Sequence, residues 1–374
     1  MKVAVFLTYN YSLGTWYKSR TLDRELKIYK LLHDNFNIDF IFFSYSNDSD
    51  KQFLNNYPEF DLVALNNKYK NKVFRFISSL KIDKKILNEV KKCDIIHQHQ
   101  LLGSWVSILY KRKAQKPLLI RTGYDMHEFS KLNNEPLLKR FFLSMLTKLS
   151  LRFSDTYTVA SKSDKKLINS MNSRYNSKIK VRPNWVVDNL QNQLSDRDFY
   201  KILSVGRLEN QKNFTHLIRF FDKNSKFMLK IIGEGKNKAE LLKIIKNNNL
   251  RVEIESNVDN ELLIKEMNKY VFYISSSTFE GNPKTVLEAM SAGCVVIASS
   301  IKNHEELIEH EKTGILFDLH SFELHDVLNT LSNNFENLSA LSSNSRNFVI
   351  ENNHIDKLAK NMNKDYLELL QVVI

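Results

Sequence analysis

Along the 374-residue chain, short apolar runs alternate with stretches where apolar residues recur every three or four positions. In the first half the runs Val3–Leu7, Ile38–Phe43, Leu62–Leu65, Ile95–His97, Leu118–Arg121 and Tyr157–Ala160 read as strands. Helical spacing lies between them at Leu22–Leu32, Leu101–Lys111 and Leu137–Leu149, and Ser161 suits an N-cap for Lys162–Met171. The second half repeats the alternation. Strands are expected at Ile202–Val205, Met228–Ile232, Val252–Ile254, Val271–Ser275, Val295–Ala298 and Ile315–Phe317. Helices are expected at Asn213–Phe221, Asn237–Lys246, Glu261–Asn268 and Lys284–Ser291. Strand–helix alternation predicts α/β domains with parallel sheets and right-handed crossovers. Periodicity lapses over Arg182–Ser195, so two Rossmann-like domains are expected, 1–186 and 187–352. A long amphipathic helix follows at 353–374.

Composition narrows the class. Hydrophobic residues make up 43% and charged residues 26%, as in a folded soluble chain. No apolar run reaches the ~20 residues of a membrane span. The N-terminus lacks the long apolar run of a signal peptide. Cys93 and Cys294 give neither a disulfide framework nor a zinc spacing. These features predict a reduced, cytoplasmic protein. Only nine residues are glycine, so each is expected where little else fits.

Charge is divided unequally. Residues 1–186 hold 33 Lys and Arg against 16 Asp and Glu, a net of +17, whereas 187–374 hold 22 against 26, a net of −4. The excess is dense over Lys68–Lys92 and again at 138–153, where Phe141, Met145, Leu149 and Phe153 recur at helical spacing among Lys139, Arg140, Lys148 and Arg152. That pattern suits a helix lying on an anionic membrane surface. It equally suits a helix packed on a sheet with its lysines in water. No nucleic-acid-binding module is present, and no nucleic-acid partner is expected.

Three segments of the second half carry candidate chemistry. In SVGRLENQKNF (204–214) a strand ends at Gly206, and Arg207 and Lys212 follow before a helix. Two cations there suit a diphosphate. In IIGEGKNKAEL (231–241), Gly233 and Gly235 fit either a phosphate loop or an ordinary strand-to-helix turn. In SSSTFEGNPKTVLEAMSAGCVVIAS (275–299), Glu280 and Glu288 flank Gly281, Pro283 and a helix start. Pro283 suits the first helical position, which would aim free N–H groups at an anion. Glu288 can accept hydrogen bonds from the vicinal hydroxyls of a ribose.

GRLxxxKN, EGxPxxxxEAMxxGxxVIAS and HEELIEHEKTGILF resemble the retaining GT-B glycosyltransferases of the GT4 family (glycosyl transferases group 1). The match covers most of residues 200–318. Over the first half it rests on Gly14, DIIHQHQ (94–100) and RTGYD (121–125). The resemblance implies two Rossmann-like domains facing an interdomain cleft, with the C-terminal helix returning to the N-terminal domain. It implies a nucleotide-sugar donor on the second domain and a glycan or lipid-linked saccharide acceptor on the first, in cell-surface polysaccharide synthesis. Arg207 and Lys212 would bind and neutralise the donor diphosphate, and Glu280 would orient the donor sugar. Glu288 would hold the ribose, and the Gly281, Asn282, Pro283 and Lys284 backbone would approach sugar and phosphates. Gly233 would line the donor site, Val258 would lie by the base, and Gly14 would meet the diphosphate. No metal and no cofactor are implied, because Arg and Lys neutralise the charge and the leaving phosphate deprotonates the acceptor. Together with the +17 first half, the resemblance points to a cytoplasmic protein peripheral at the inner face of a membrane.

The sequence departs from that family where many relatives carry a histidine after an N-domain strand. Arg121 or Thr122 stands near that place, with Asp125 and His127 beside it. Trp16, Tyr17, Lys18 and Arg20 suit either an acceptor groove, with aromatic faces stacked on sugar rings, or a loop and helix start with solvent-facing cations; Trp16, Arg121, Asp125 and His127 are the acceptor-side candidates. Two DxD-like triplets, Asp48–Asp50 and Asp196–Asp198, read as surface loops. A GT-B nucleotide-sugar epimerase and a non-catalytic GT-B-fold binding protein stay open as alternatives.

Overall fold

The computed structural model describes residues 1–46, 48–65, 71–171, 173–319 and 324–371. Lys68 and Lys70 of the basic stretch lie outside the described residues. The chain forms two compact units, one of residues 1–183 with 356–374 and one of residues 184–355. Each holds one parallel sheet.

The first unit has seven strands: β1 Lys2–Phe6, β2 Asp39–Ser44, β3 Phe60–Ala64, β4 Ile95–Gln98, β5 Leu118–Arg121, β6 Thr156–Val159 and β7 Ile179–Val181. Their order is β3-β2-β1-β4-β5-β6-β7. The second has six: β8 Asp198–Val205, β9 Met228–Ile232, β10 Val252–Glu255, β11 Tyr270–Ser275, β12 Val295–Ser299 and β13 Ile315–Phe317, in the order β10-β9-β8-β11-β12-β13. Strands covered by helices on both faces must be apolar along their whole length, and β11 and β12 are buried at every position. Each sheet reverses its direction of growth once, between β1 and β4 and between β8 and β11. Ligands of open α/β sheets sit outside the carboxyl ends of the strands at such a point.

The residues 356–374 fall in the first unit, within or after the helix Ile355–Gln371. Leu358, Met362, Tyr366 and Leu369 of that helix are buried. Asp365 is fully buried and accepts from Arg182 Nε and Nη2 (both 2.7 Å) and Lys180 Nζ (2.8 Å). The Tyr366 hydroxyl is hydrogen-bonded to His97 Nδ1 at 2.7 Å.

Several elements differ from the pattern. The helix expected at Leu101–Lys111 is Ser104–Ala114, because Gly103 at its N-cap takes φ +103°. A Cβ there would also come within 3.2 Å of the Tyr9 backbone nitrogen, so the close approach adds to the preference for glycine set by the positive φ. The helix expected at Asn213–Phe221 is one α turn, Phe214–Leu217, followed by a 3₁₀ turn. The helices Lys72–Ser79, Lys84–Lys91, Met126–Leu132, Leu324–Ser332 and Phe335–Asn353, and strand β7, are not anticipated. Phe335–Asn353 is rich in Ser and Asn, which are poor helix formers. Its stability comes from packing: Leu338, Leu341 and Val349 are buried, and Ser342 Oγ donates to Gly293 O at 2.6 Å.

Candidate functional site

The motifs of the second unit meet at the carboxyl ends of β8 and β11, beside the reversal point of the sheet. After β8 the chain turns at Gly206 and runs through Arg207 to the 3₁₀ turn Asn210–Lys212. After β11 it runs through Ser276 to Glu280 and then into the helix Lys284–Ser291. The two loops are laced together. Thr278 N–H donates to Gln211 O (2.9 Å), Ser276 Oγ to Lys212 O (2.8 Å) and Gln211 Nε2 to Phe279 O (2.8 Å).

Lys212 and Glu280 form a nearly buried ion pair, with side chains 15% and 9% exposed. Ser277 Oγ also donates to Glu280 at 2.7 Å, and Gln211 Nε2 lies at 3.4 Å. Burial alone would raise the Glu280 pKa. The Lys212 ammonium and the Ser277 hydroxyl outweigh it and hold the carboxyl below its ordinary value. Glu280 is therefore a fixed anion with its cation in place. Arg207 is different: it is 69% exposed, and Glu209 lies 3.6 Å away. One cation is clamped and the other stands in solvent.

Glu288 is buried one turn into the helix Lys284–Ser291, and Oε1 accepts from Asn260 Nδ2 at 2.9 Å. Asn260 opens the helix Asn260–Met267, two residues after Val258, which packs at the edge of the core. The carboxylate thus sits beside the loop that carries Val258. Asn260 is not among the candidates read from the sequence.

Pro283 is the N-cap rather than the first residue of its helix, a one-residue correction. Ahead of it, Asn282 Oδ1 accepts from Asn184 N–H (2.8 Å), and Asn184 Nδ2 donates to Asn282 O (2.6 Å). Asn353 Nδ2 donates in turn to Asn184 O at 2.9 Å. This buried amide chain fixes the turn of Gly281, Asn282, Pro283 and Lys284 from behind.

Gly233 and Gly235 take the turn reading. Gly206 N–H donates to Ile232 O (3.1 Å), Leu208 N–H to Glu234 O (2.9 Å) and Asn237 N–H to Leu208 O (3.0 Å). The loops after β8 and β9 are thereby zipped edge to edge. A Cβ on Gly233 would fall 2.0 Å from Gly206 O, so glycine is needed for close approach of two backbones.

His304 was quoted in HEELIEHEKTG without a role. It is fully buried behind Glu280. Its Nδ1 lies 2.8 Å from Ser299 O and so carries the hydrogen, leaving Nε2 to accept from Ser275 Oγ at 3.5 Å. Burial lowers its pKa against the opposing pull of Glu280, so the ring is neutral. The sequence placed a histidine after β12 but gave no sign of its partners.

The first unit corrects several expectations. Trp16 offers no open face: it is 6% exposed and packs edge-on to His99, ring centroids 5.1 Å apart. Gly14 lies in the short helix Leu13–Lys18, where its N–H donates to Asp50 Oδ2 at 3.2 Å. Asp50, read as a surface-loop residue, is 6% exposed and also accepts from Ser44 Oγ. Asp125 is buried as the N-cap of Met126–Leu132, accepting from Glu128 N–H at 2.6 Å. Its pKa is raised by burial despite that bond. His127 lies on the same helix, half-buried, with its pKa lowered by burial. Arg121 ends β5, near enough to the fully buried His97 and Tyr366 to bias the charge of both. Of these candidates, Arg121 shares its surroundings with His97, while Asp125 and His127 sit together on the helix after β5. Among the described residues, no group of three His, Cys, Asp or Glu is placed to hold a metal ion.

Comparison with known proteins agrees with the second unit's motifs. Residues 188–364 match the family described as Glycosyl transferases group 1. An uncharacterized glycosyltransferase of Methanocaldococcus jannaschii is 27% identical over 266 residues, 58% of this chain and 64% of that protein. The Campylobacter jejuni N-acetylgalactosamine-N,N'-diacetylbacillosaminyl-diphospho-undecaprenol 4-alpha-N-acetylgalactosaminyltransferase is 34% identical over 120 residues, 32% of this chain and 33% of that protein. The chain thus spans less than two thirds of the length of either relative. The crystal structure of Anabaena HepE in complex with UDP matches with a TM-score of 0.77 at 15% identity, covering 98% of this chain and 100% of that one. Over residues 188–364 the chain is similar to the group 1 glycosyltransferases, and its fold is of the GT-B type.

Proposed function

We propose that this protein is a retaining glycosyltransferase. It moves a hexosyl unit from a nucleotide sugar to a glycan or lipid-linked saccharide in cell-surface polysaccharide synthesis, working at the inner face of a membrane. The observation that carries the reading is the gathering of Arg207, the Lys212–Glu280 pair and Glu288 at the carboxyl ends of β8 and β11. Around a bound donor, Arg207 closes on the diphosphate from solvent while Lys212 shares its charge between Glu280 and a phosphate oxygen. Charge grows on the leaving diphosphate as the glycosidic bond breaks, and preorganised cations stabilise that charge. Glu280, held ionised, accepts hydrogen bonds from the sugar hydroxyls, and Glu288 from the ribose. The leaving phosphate takes the acceptor proton on the face of departure, so the configuration at the anomeric carbon is kept without a protein nucleophile. UDP bound to Anabaena HepE and the undecaprenyl diphosphate acceptor in the name of the Campylobacter relative support this choice of partners.

The test is a panel of nucleotide sugars screened first for thermal stabilisation and then for transfer to a polyprenyl-diphosphate saccharide. Arg207→Ala and Glu288→Ala should abolish transfer in a folded protein. Full activity in either variant overturns the site assignment. Turnover of the nucleotide sugar with no acceptor present would indicate an epimerase instead.

A further inference from the structure

Two helices of the first unit leave their outer faces uncovered. The helix Lys72–Ser79 buries no residue at all, and Val73, Phe74, Ile77 and the following Leu80 are 46–64% exposed. The helix Leu137–Phe153 opens with Leu137 and Leu138, 78% and 85% exposed, and continues the face with Phe141 at 69% and Met145 at 44%. Its other face, with Leu143, Leu146 and Leu151, is buried. These are not scattered apolar residues. Phe76 and Phe142 lie edge to face 6.3 Å apart, and Trp105 lies beneath both, at 5.3 Å from Phe76 and 6.1 Å from Phe142. Trp105 Nε1 donates to Ser79 Oγ at 2.9 Å, tying the first helix down. The inner aromatics join the helices side by side, so their outer residues form one surface.

The border of that surface is basic. Residues 72–85 contribute Lys72, Arg75, Lys81, Lys84 and Lys85 against one acid, Asp83, and 135–153 contribute Lys139, Arg140, Lys148 and Arg152 against Glu135, which pairs with Lys139 at 2.6 Å. Exposed apolar patches of this extent mark interaction surfaces. A protein partner would be matched by mixed charge at the rim. An apolar centre with a border of nine cations against two acids matches a bilayer with anionic headgroups, into which aromatic and leucine side chains sink while lysines stay at the phosphates.

We infer that the paired faces of Lys72–Ser79 and Leu137–Phe153 dock this protein on an anionic membrane, with Phe74, Ile77, Leu138 and Phe141 entering the headgroup layer. The inference rests on the proposed membrane-borne acceptor for its purpose, and it names the surface through which the enzyme reaches it. It also resolves the two readings of the second helix, which packs on the unit with one face and is bare on the other.

Co-sedimentation with phosphatidylglycerol-containing vesicles, against pure phosphatidylcholine vesicles, tests it. The wild-type chain should bind the anionic vesicles at low salt and leave them as salt rises past ~0.3 M, where screening shortens to a few ångströms. Phe74→Glu/Ile77→Glu and Leu138→Glu/Phe141→Glu should each lower binding at least tenfold. Because the positions are exposed, both variants should keep the wild-type melting temperature and nucleotide-sugar stabilisation. No wild-type binding at 50 mM salt overturns the inference. So does undiminished binding in both variants, or a wild-type dimer that both variants dissolve. Vesicle binding with no transfer from any nucleotide sugar would sink the proposed activity and leave the docking surface standing.

Discussion

The Lys212–Glu280 pair makes a quantitative prediction about stability and pH. Lys212→Met keeps the length of the side chain and removes the ammonium. Glu280 is then left nine-tenths buried with only Ser277 Oγ and Gln211 Nε2 to answer its charge. Removing one partner of a buried pair costs about 3–5 kcal/mol, and the two remaining donors favour the lower end. In a unit of this size each kcal/mol moves the midpoint by roughly 2–4 °C, so the melting temperature at pH 7.5 should fall by roughly 6–12 °C. The sign of the pH dependence separates this cause from simple loss of packing. In the wild type the Glu280 pKa is depressed, so its contribution is present above the ordinary carboxylate value and is lost only as pH falls through the depressed one. In the variant burial, the largest influence, is opposed only by the weaker Ser277 and Gln211 bonds and raises the pKa, so the penalty is present at neutral pH and disappears on acidification. The gap between variant and wild type should therefore narrow from pH 7.5 to pH 5. Lys212→Met/Glu280→Gln should recover most of the loss, because a neutral pair leaves no buried charge. Calorimetry across pH 5–8 measures all of this. A variant melting within 2 °C of wild type, or a gap that widens on acidification, would refute the reasoning.

Other outcomes follow from single contacts. Gly233→Ala drives a methyl into Gly206 O and forces the two loops apart, so urea unfolding should report a loss of at least ~2 kcal/mol together with weaker nucleotide-sugar binding. An unchanged midpoint would mean the loops are not zipped as described. Glu288→Gln keeps the shape of the side chain and its bond to Asn260, so the ligand-free protein should melt as the wild type does. Its thermal stabilisation by a nucleotide sugar should drop severalfold; equal stabilisation would remove the ribose role. His97 and His304 are buried with depressed pKa values, so folding favours their neutral forms. Stability should fall as pH drops below ~6.5, by up to ~1.4 kcal/mol per pH unit for each. His97→Gln should flatten that slope in urea titrations between pH 7.5 and 5.5, and an unaltered slope would show that His97 does not set it.

What the sequence made legible is whatever depends on neighbours along the chain. The strands were readable because both faces of each sheet are covered, which turns burial into an unbroken apolar run, as at Val3–Phe6 and Val295–Ala298. The helix Lys284–Ser291 was readable because its polar approach, its proline and its apolar stripe are contiguous. Arg207, Lys212 and Glu280 stood out as charged residues after strand ends, where α/β sheets place ligands, and Glu288 as an acid one turn into the helix that follows.

Contacts between distant segments are another matter. Lys212 meets Glu280 across 68 positions and Asn184 meets Asn282 across 98, and nothing in either segment announces the other. The same reason explains the errors. Trp16 and Asp50 have the residue types of an exposed sugar-binding or metal-binding loop, yet each is buried by a partner from elsewhere, His99 and the Gly14 N–H. Gly103 drew no role in the sequence because its φ and its approach to Tyr9 are set by how β1 and β4 lie side by side. The helix Lys72–Ser79 went unseen because its apolar face is turned outward. The helix is anchored through Phe76 and Ser79, so the fold gives no reason to keep Val73, Phe74 and Ile77 apolar on its outer side, and that is the physical case for reading this face as a surface with a partner.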